Sequence, residues 1–155
     1  MGKRLASCAA VIMLWACASF APPQNPPREV FSFGLFGDLA YIVEHEPLLE
    51  NTIADMNATA GLAFVAHVGD LAGFNACPDE FYQRRPAQFQ SSAHPLVYTP
   101  GDNEWVDCHE KVAGGFDPLE RLVKLRTVFF PGEESLGRRK IPLERQSASG
   151  NPAFA

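Results

Sequence analysis

The sequence predicts an α/β fold in which three buried, parallel strands alternate with helices. Three short apolar runs each end in Gly-Asp, at Asp38, Asp70 and Asp102. Successive aspartates are 32 residues apart, which is about the length of one strand–helix–strand unit. Near-continuous apolar strands joined by helices are typical of parallel sheets. The composition, 46% hydrophobic and 20% charged, is that of an ordinary globular domain.

The first strand, first helix and second strand follow in order. Residues 29–38 are rich in β-branched and aromatic side chains, which predicts a strand. Residues 47–58 place apolar side chains at helical spacing, and Pro47 suits the first turn of a helix. Residues 61–70 form a near-continuous apolar run, which is typical of a buried strand.

A second helix and a third strand come next. Residues 77–90 carry Pro78, Asp79 and Glu80 near their start, which predicts the beginning of a helix. Pro86 is expected to kink or shorten this helix, and Arg84-Arg85 is expected to lie on a solvated face. The short apolar run at residues 94–102 predicts the third strand.

Residues 117–130 carry the clearest helix pattern of the chain. Asp117 is a predicted N-cap, Pro118 occupies the first helical position, and Glu120 completes a capping box. The predicted buried stripe of this helix consists of four apolar residues: Leu119, Leu122, Val123 and Phe130.

The three aspartates are predicted to meet at one rim of the sheet. Right-handed crossovers bring the carboxyl ends of parallel strands to one edge, and ligands of open α/β sheets bind there. Three crowded carboxylates stay ionised together only if a cation lies between them. Oxygen ligands suit hard or borderline divalent metals. A carboxylate that bridges two metals is a common arrangement for phosphoester hydrolysis.

The segments "FGDLAY", "HVGDLAG" and "TPGDNEW" resemble the first three sequence blocks of the calcineurin-like metallophosphoesterases, relatives of the purple acid phosphatases. The resemblance covers about residues 30–130. It implies a layered sheet sandwich flanked by helices, two divalent or trivalent metal ions (manganese, iron or zinc), and a phosphate-ester substrate. The implied reaction is hydrolysis of a phosphomonoester or phosphodiester by metal-bound hydroxide.

The resemblance assigns roles position by position. Asp38 matches the first metal-ligand aspartate, and Asp70 matches the aspartate that bridges both metals. Asp102 falls on an asparagine ligand of the third block. Tyr41 is placed to reach a metal or the phosphate. Asn103 falls on a histidine that, in the family, protonates the leaving group or steadies the phosphate.

The third block departs from the family pattern, because "GDNE" stands in place of "GNHE". Asn103 can hydrogen-bond a phosphate oxygen but cannot act as a general acid. If the turn is shifted by one residue, Asn103 itself is the ligand. Glu104 is either a further site acid or a buried acid that binds the turn's own amides. His67, inside the second strand, is expected to be a core histidine rather than a ligand.

The later histidine blocks of the family have no counterpart, because no histidine follows His109. The expectation is therefore the N-terminal half of a longer protein, with an apolar sheet face and a sheet edge uncovered. Two alternatives stay open. One is a catalytically inactive remnant that binds a single cation weakly, and the other is an exported α/β ligand-binding module.

Residues 1–18 read as a signal peptide, with a basic start and an apolar run, so the mature chain is expected to be exported. Cys17 allows a lipoprotein variant, and a retained membrane anchor is the other alternative. Residues 19–29 are a Pro-rich linker, residues 30–130 form the domain, and residues 131–155 form an irregular tail. No membrane span is expected after processing.

The two cysteines outside the signal segment, Cys77 and Cys108, predict a disulfide in an exported chain. A zinc site is the weaker interpretation, because no second Cys or His pair lies nearby. Removing residues 1–18 takes away Lys3 and Arg4 and leaves 11 basic against 18 acidic residues, a net charge of −7. Such an acidic chain is not expected to bind nucleic acid through bulk charge.

Overall fold

Three parallel strands form the sheet, in the order β1–β2–β3. The computed structural model describes residues 29–72, 77–145 and 150. The strands are β1 (Ser32–Phe36), β2 (Leu62–His67) and β3 (Leu96–Tyr98). Gly34 and Leu96 both lie beside Val65, which places β2 in the middle of the sheet. The predicted parallel α/β arrangement is therefore confirmed.

Helices connect and follow these strands. They are α1 (Glu46–Ala58), α2 (Asp79–Gln90) and α3 (Pro118–Phe129). Short 3₁₀ turns cover Val43–His45, Asp107–His109 and Lys111–Ala113. None of the helices within these described residues is long and apolar enough to cross a membrane. The predicted signal peptide, Cys17 and most of the linker lie outside the described residues.

The predicted start of α3 is confirmed. Of its predicted buried stripe, Phe130 packs against the core, but two other members are wrong. Asp117 accepts a hydrogen bond from the Glu120 backbone N–H at 2.9 Å, as an N-cap does. Leu119 and Val123, however, are 67% and 62% exposed. The buried face consists instead of Arg121, Leu125 and Phe129. This set also has helical spacing, and contact with the core selects it because long arginine stems can pack like apolar side chains.

Helix α2 also differs from its prediction. It continues through Pro86 to Gln90, so Pro86 does not shorten it. Arg84 faces solvent as expected, with its side chain 51% exposed, but the Arg85 side chain is only 2% exposed. The guanidinium of Arg85 is buried because two loop carbonyls and Gln88 accept its hydrogen bonds.

The main core lies between the three helices and one face of the sheet. Phe89, Tyr98 and Phe129 form a set of tilted aromatic contacts at its centre, with ring centroids 4.9–6.0 Å apart. Aromatic pairs at this distance add to the stabilisation from burial. Leu49 and Ile53 of α1 complete this side of the core.

The opposite face of the sheet is apolar and exposed. Phe31, Phe33, Leu35 and Val68 are 63%, 48%, 59% and 48% exposed. The Phe33 and Phe64 rings stack on this face with centroids 5.1 Å apart. We call these five residues the open face. The expected uncovered apolar face is therefore present in the described part of the chain.

Residues after α3 also contribute to the fold, although their sequence carries no strand or helix pattern. Leu136 makes an antiparallel bridge to Leu96, with both backbone hydrogen bonds at 2.8–2.9 Å. Leu136 is 7% exposed and belongs to the main core. This segment therefore covers the outer edge of β3, which reduces the exposed strand edge that aggregation exploits.

The predicted disulfide is present. The sulfur atoms of Cys77 and Cys108 are at bonding distance, and the Cα atoms are 5.7 Å apart. Both cysteines are fully buried in a small cluster with Ala113 and Phe116. The bond ties the start of α2 to the 3₁₀ turn that follows the Asp102 turn.

Candidate metal centre

The three Gly-Asp turns lie side by side at the carboxyl end of the sheet. Because β2 is the central strand, the Asp70 turn lies between the Asp38 turn and the Asp102 turn. The Asp38 backbone N–H donates to Gly69 O at 3.1 Å, so the first two turns are directly connected. The sheet topology therefore brings these turns together at one rim, as predicted.

The aspartates of the first two turns both take the left-handed backbone conformation. Asp38 has φ of 55° and Asp70 has φ of 53°. Aspartate is one of the few non-glycine residues that visit this region, because its short side chain can hydrogen-bond locally. The backbone therefore turns sharply at the candidate ligand itself.

Glycine is required at Gly69 and Gly101 because the turns touch. A Cβ built on Gly69, where φ is +98°, would lie 2.3 Å from Gly101 N. A Cβ built on Gly101 would lie 2.0 Å from Asp70 Oδ1. Both distances are far below contact distance, so only glycine allows the second and third turns to approach this closely.

The Asp70 carboxyl lies in a negatively charged environment. Partial burial raises the pKa of Asp70. The charges of Asp102 and Asp38 raise it further, as does a hydrogen bond between the Asp70 and Asp102 carboxyls. The Asn103 N–H lowers it. The Asn103 N–H lies 3.5 Å from Asp70 Oδ1. Like charges that meet at a rim favour either a bound proton or a bound cation.

Tyr41 lies at the same rim and contacts the first candidate ligand. Its hydroxyl donates to Asp38 Oδ1 at 2.6 Å. This hydrogen bond, then burial and the charges of Asp38, Asp70 and Glu104, raise the pKa of Tyr41 to about 12. The phenol is therefore neutral at physiological pH and donates a hydrogen bond to the Asp38 carboxylate.

Asn103 is 9% exposed, and its side-chain amide is engaged with the neighbouring turn. Nδ2 donates to Ala72 O at 3.0 Å. Together with its N–H on Asp70, this bond attaches the third turn to the second through both main chain and side chain. The structure therefore holds Asn103 between the second and third turns.

Glu104 is fully buried beneath the rim. Its Oε1 accepts hydrogen bonds from Tyr98 Oη at 2.7 Å, Gly101 N at 3.2 Å and Leu71 N at 3.3 Å. Burial raises the pKa of Glu104, whereas these hydrogen bonds lower it. Of the two interpretations of Glu104, the buried acid that binds the turn's own amides is confirmed.

His67 is a core histidine, as expected. Its Nδ1 accepts from Gly69 N at 3.2 Å, and its Nε2 lies 3.4 Å from Leu39 O. Both nitrogens of the neutral ring are therefore used. Burial, followed by the nearby positive charge of Arg85, lowers the pKa of His67 to about 4 despite the bond to Leu39.

The donor atoms at the rim fit a hard cation chemically, because they are carboxylate and amide oxygens. Across residues 29–72 and 77–145, however, no three His, Cys, Asp or Glu side chains are grouped so as to hold a metal ion. The side chains thus offer an acidic rim with Asp70 at its centre, rather than a closed coordination shell. Gly73, in the second sequence block, lies outside the described residues.

Sequence reasoning missed Arg85 and the two tyrosines that hold Glu104. Arg85 looked like half of a surface Arg-Arg pair, yet it donates to Ala40 O at 2.8 Å and to Leu71 O at 3.2 Å. Tyr82 donates to the backbone O of Glu104, and Tyr98 donates to its carboxylate. The available signal was the placement of Tyr98 at the end of an apolar run, whereas Tyr82 lies among charged and polar residues.

Comparisons with known proteins do not assign the chain to a family. Searches of protein-family models, of curated proteins and of solved structures return no significant match.

Proposed function

We propose that this chain is an exported, calcineurin-like metallophosphoesterase that hydrolyses a phosphomonoester or phosphodiester. Its acidic rim would hold two divalent or trivalent cations, such as manganese, iron or zinc. The bound ions would supply an activated water and positive charge for the phosphate oxygens. An acidic chain needs such charge to attract an anionic ester.

The observation that carries the proposal is the central position of the Asp70 turn. It lies on the middle strand, and the charges of Asp38 and Asp102 both act on its carboxyl. A carboxylate between two others is the one placed to bridge a pair of ions. Asp38 and Asp102 would then each bind one of the two ions.

The remaining rim residues would orient the substrate. The Tyr41 hydroxyl keeps its proton and donates a hydrogen bond to Asp38. This hydroxyl would either hold the Asp38 carboxylate in place or donate instead to a phosphate oxygen. Asn103 would present its amide oxygen as a ligand or its second N–H to the phosphate, since one N–H is used by Ala72. Asn103 supplies no proton to a leaving group, because an amide does not titrate.

The open face also supports the resemblance at the level of fold. The proposed family has two sheets packed face to face, with helices outside. Here one face of the sheet carries the helices, while Phe33, Leu35 and Val68 of the other face are exposed. A second sheet packed on the open face would give the layered sandwich.

A second candidate function is cation binding without hydrolysis. It is favoured by the lack of a closed group of metal-ligating side chains across the described ranges. In this case Asp70 and Asp102 would bind one ion weakly, and no phosphate would be cleaved. The two candidates differ in turnover, which the following experiment measures.

The test is hydrolysis of p-nitrophenyl phosphate and bis(p-nitrophenyl) phosphate by the full oxidised chain, with Mn²⁺, Zn²⁺ or Fe³⁺ and with a chelator. We expect turnover that depends on metal and falls by at least about a hundredfold in Asp70→Asn, because a bridging ligand is lost. Asp55→Asn is the matched control, since Asp55 is an exposed acid of α1 and should keep full activity.

Metal binding without turnover of either ester would exclude hydrolysis and leave the second candidate. Turnover that is equal in wild type and Asp70→Asn would place the chemistry elsewhere and overturn the proposed site.

A further inference from the structure

Two buried charged side chains, Arg85 and Glu104, meet the backbone beside Asp70 from opposite directions. Glu104 Oε1 accepts from the Leu71 N–H at 3.3 Å. Arg85 Nε donates to the Leu71 carbonyl at 3.2 Å. The peptide groups that flank Leu71 are therefore both held by ionisable side chains, and Leu71 directly follows the central candidate ligand.

Each of these side chains also reaches a second turn. The Arg85 Nη2 donates to Ala40 O at 2.8 Å, two residues after Asp38. Glu104 Oε1 accepts from Gly101 N at 3.2 Å, one residue before Asp102. Arg85 thus links the first turn to the second, and Glu104 links the second to the third.

The burial of both groups is costly. Arg85 is 2% exposed and Glu104 is not exposed at all. Glu104 Oε2 is the single buried side-chain polar atom without a hydrogen-bond partner in the described part of the chain. A buried ionisable group seldom stabilises a fold more than a well-packed apolar residue would, so stability alone is a weak reason for placing two of them here.

We propose that Arg85 and Glu104 are positioning residues that set the spacing of the three aspartate turns for metal binding. This inference rests on the proposed metal site, but neither residue is itself a ligand in it. Outer groups that orient metal ligands commonly change metal affinity about 10- to 100-fold when they are removed.

The test is the affinity of the full oxidised chain for Mn²⁺. Binding is measured from the electron paramagnetic resonance signal of the Mn²⁺ that remains free. Glu104→Gln keeps an oxygen for the three donors and should bind Mn²⁺ within about threefold of wild type. Glu104→Ala, which removes the acceptor, and Arg85→Lys, which keeps the charge but cannot span two carbonyls, should each bind about tenfold more weakly or worse.

Tyr82→Phe is the matched control. The Tyr82 hydroxyl donates to the backbone carbonyl of Glu104 and lies 3.7 Å from Cys108 Sγ, but it does not touch the Glu104 carboxylate, which keeps its own three donors. We expect this variant to lose stability while its folded form keeps the wild-type Mn²⁺ affinity. A purely structural role for Glu104 would make the Glu104→Ala variant behave in the same way.

Folded Glu104→Ala and Arg85→Lys variants with wild-type Mn²⁺ affinity would overturn the inference and leave the proposed metal site intact. If Glu104→Ala does not fold, Arg85→Lys decides the inference alone. Failure of the wild-type chain to bind Mn²⁺ would contradict the proposed metal site, and the inference would fall with it.

Discussion

The buried ionisable residues determine how the rim is held. His67, Arg85 and Glu104 each make hydrogen bonds to backbone atoms next to the aspartate turns. Sequence reasoning identified His67 as a core residue and Glu104 as an acid of the turn. It missed Arg85, because the contacts of Arg85 with Ala40 and Leu71 are 45 and 14 residues distant and no local pattern reveals them.

The burial of His67 predicts that the chain loses stability in mild acid. The unfolded chain takes up a proton at the ordinary pKa near 6.5, whereas folded His67 does so only near 4. The unfolded state therefore binds more protons between these values, and the free energy of unfolding falls as pH falls through this window. From pH 7 to pH 5 we expect a loss of about 2 kcal/mol from this group.

The measurement is urea unfolding at both pH values for wild type and His67→Gln. The difference between the two proteins isolates His67 from the carboxyl groups, which also titrate in this range. The same loss of stability in both proteins would contradict the assignment.

At the level of elements, local patterns predicted the positions of all three strands and helices, and long-range contacts decided the rest. The Gly-Asp rhythm located the strand ends, and the capping residues located the start of α3. The predicted buried face of α3 was wrong at Leu119 and Val123, because tertiary packing rather than apolar spacing selects the buried positions, one of which is Arg121. The pairing of Leu136 with Leu96 was not predictable, since the segment has no strand pattern.

The corrected face of α3 gives a direct prediction. Leu125→Ala should lower the free energy of unfolding by about 2–5 kcal/mol, because a fully buried side chain leaves a cavity. Leu119→Ala, on the same helix but 67% exposed, should change it by less than about 0.5 kcal/mol. Denaturant unfolding of both variants checks this. Equal losses of unfolding free energy in the two variants would contradict this face and support the buried stripe predicted from the sequence.

At the level of the whole molecule, the residues that the structure describes cover the sheet on one side only. The helices pack on one face, and the open face exposes large apolar side chains such as Phe33 and Leu35. The outer edge of β1 pairs with no strand in the described sheet. Exposed apolar patches of this kind promote association, and a free strand edge adds to the tendency.

We therefore expect the chain to self-associate at high concentration. Sedimentation velocity measures this association. The double substitution Phe33→Thr and Leu35→Thr should reduce this association with a stability change below about 1 kcal/mol, because both side chains are already exposed. Val43→Thr is the matched control, since Val43 is 59% exposed but lies outside the open face. A wild-type chain that stays monomeric at high concentration would contradict the role of the open face.

The central claim is that the rim formed by Asp38, Asp70 and Asp102 binds metal. The most direct test is a calorimetric titration of the full oxidised chain with Mn²⁺, for wild type and Asp70→Asn. We predict saturable binding by wild type and affinity at least about tenfold weaker in Asp70→Asn, which removes the central carboxylate and keeps its shape. Absence of Mn²⁺ binding by the folded wild type, or equal affinity in both proteins, would contradict the metal site.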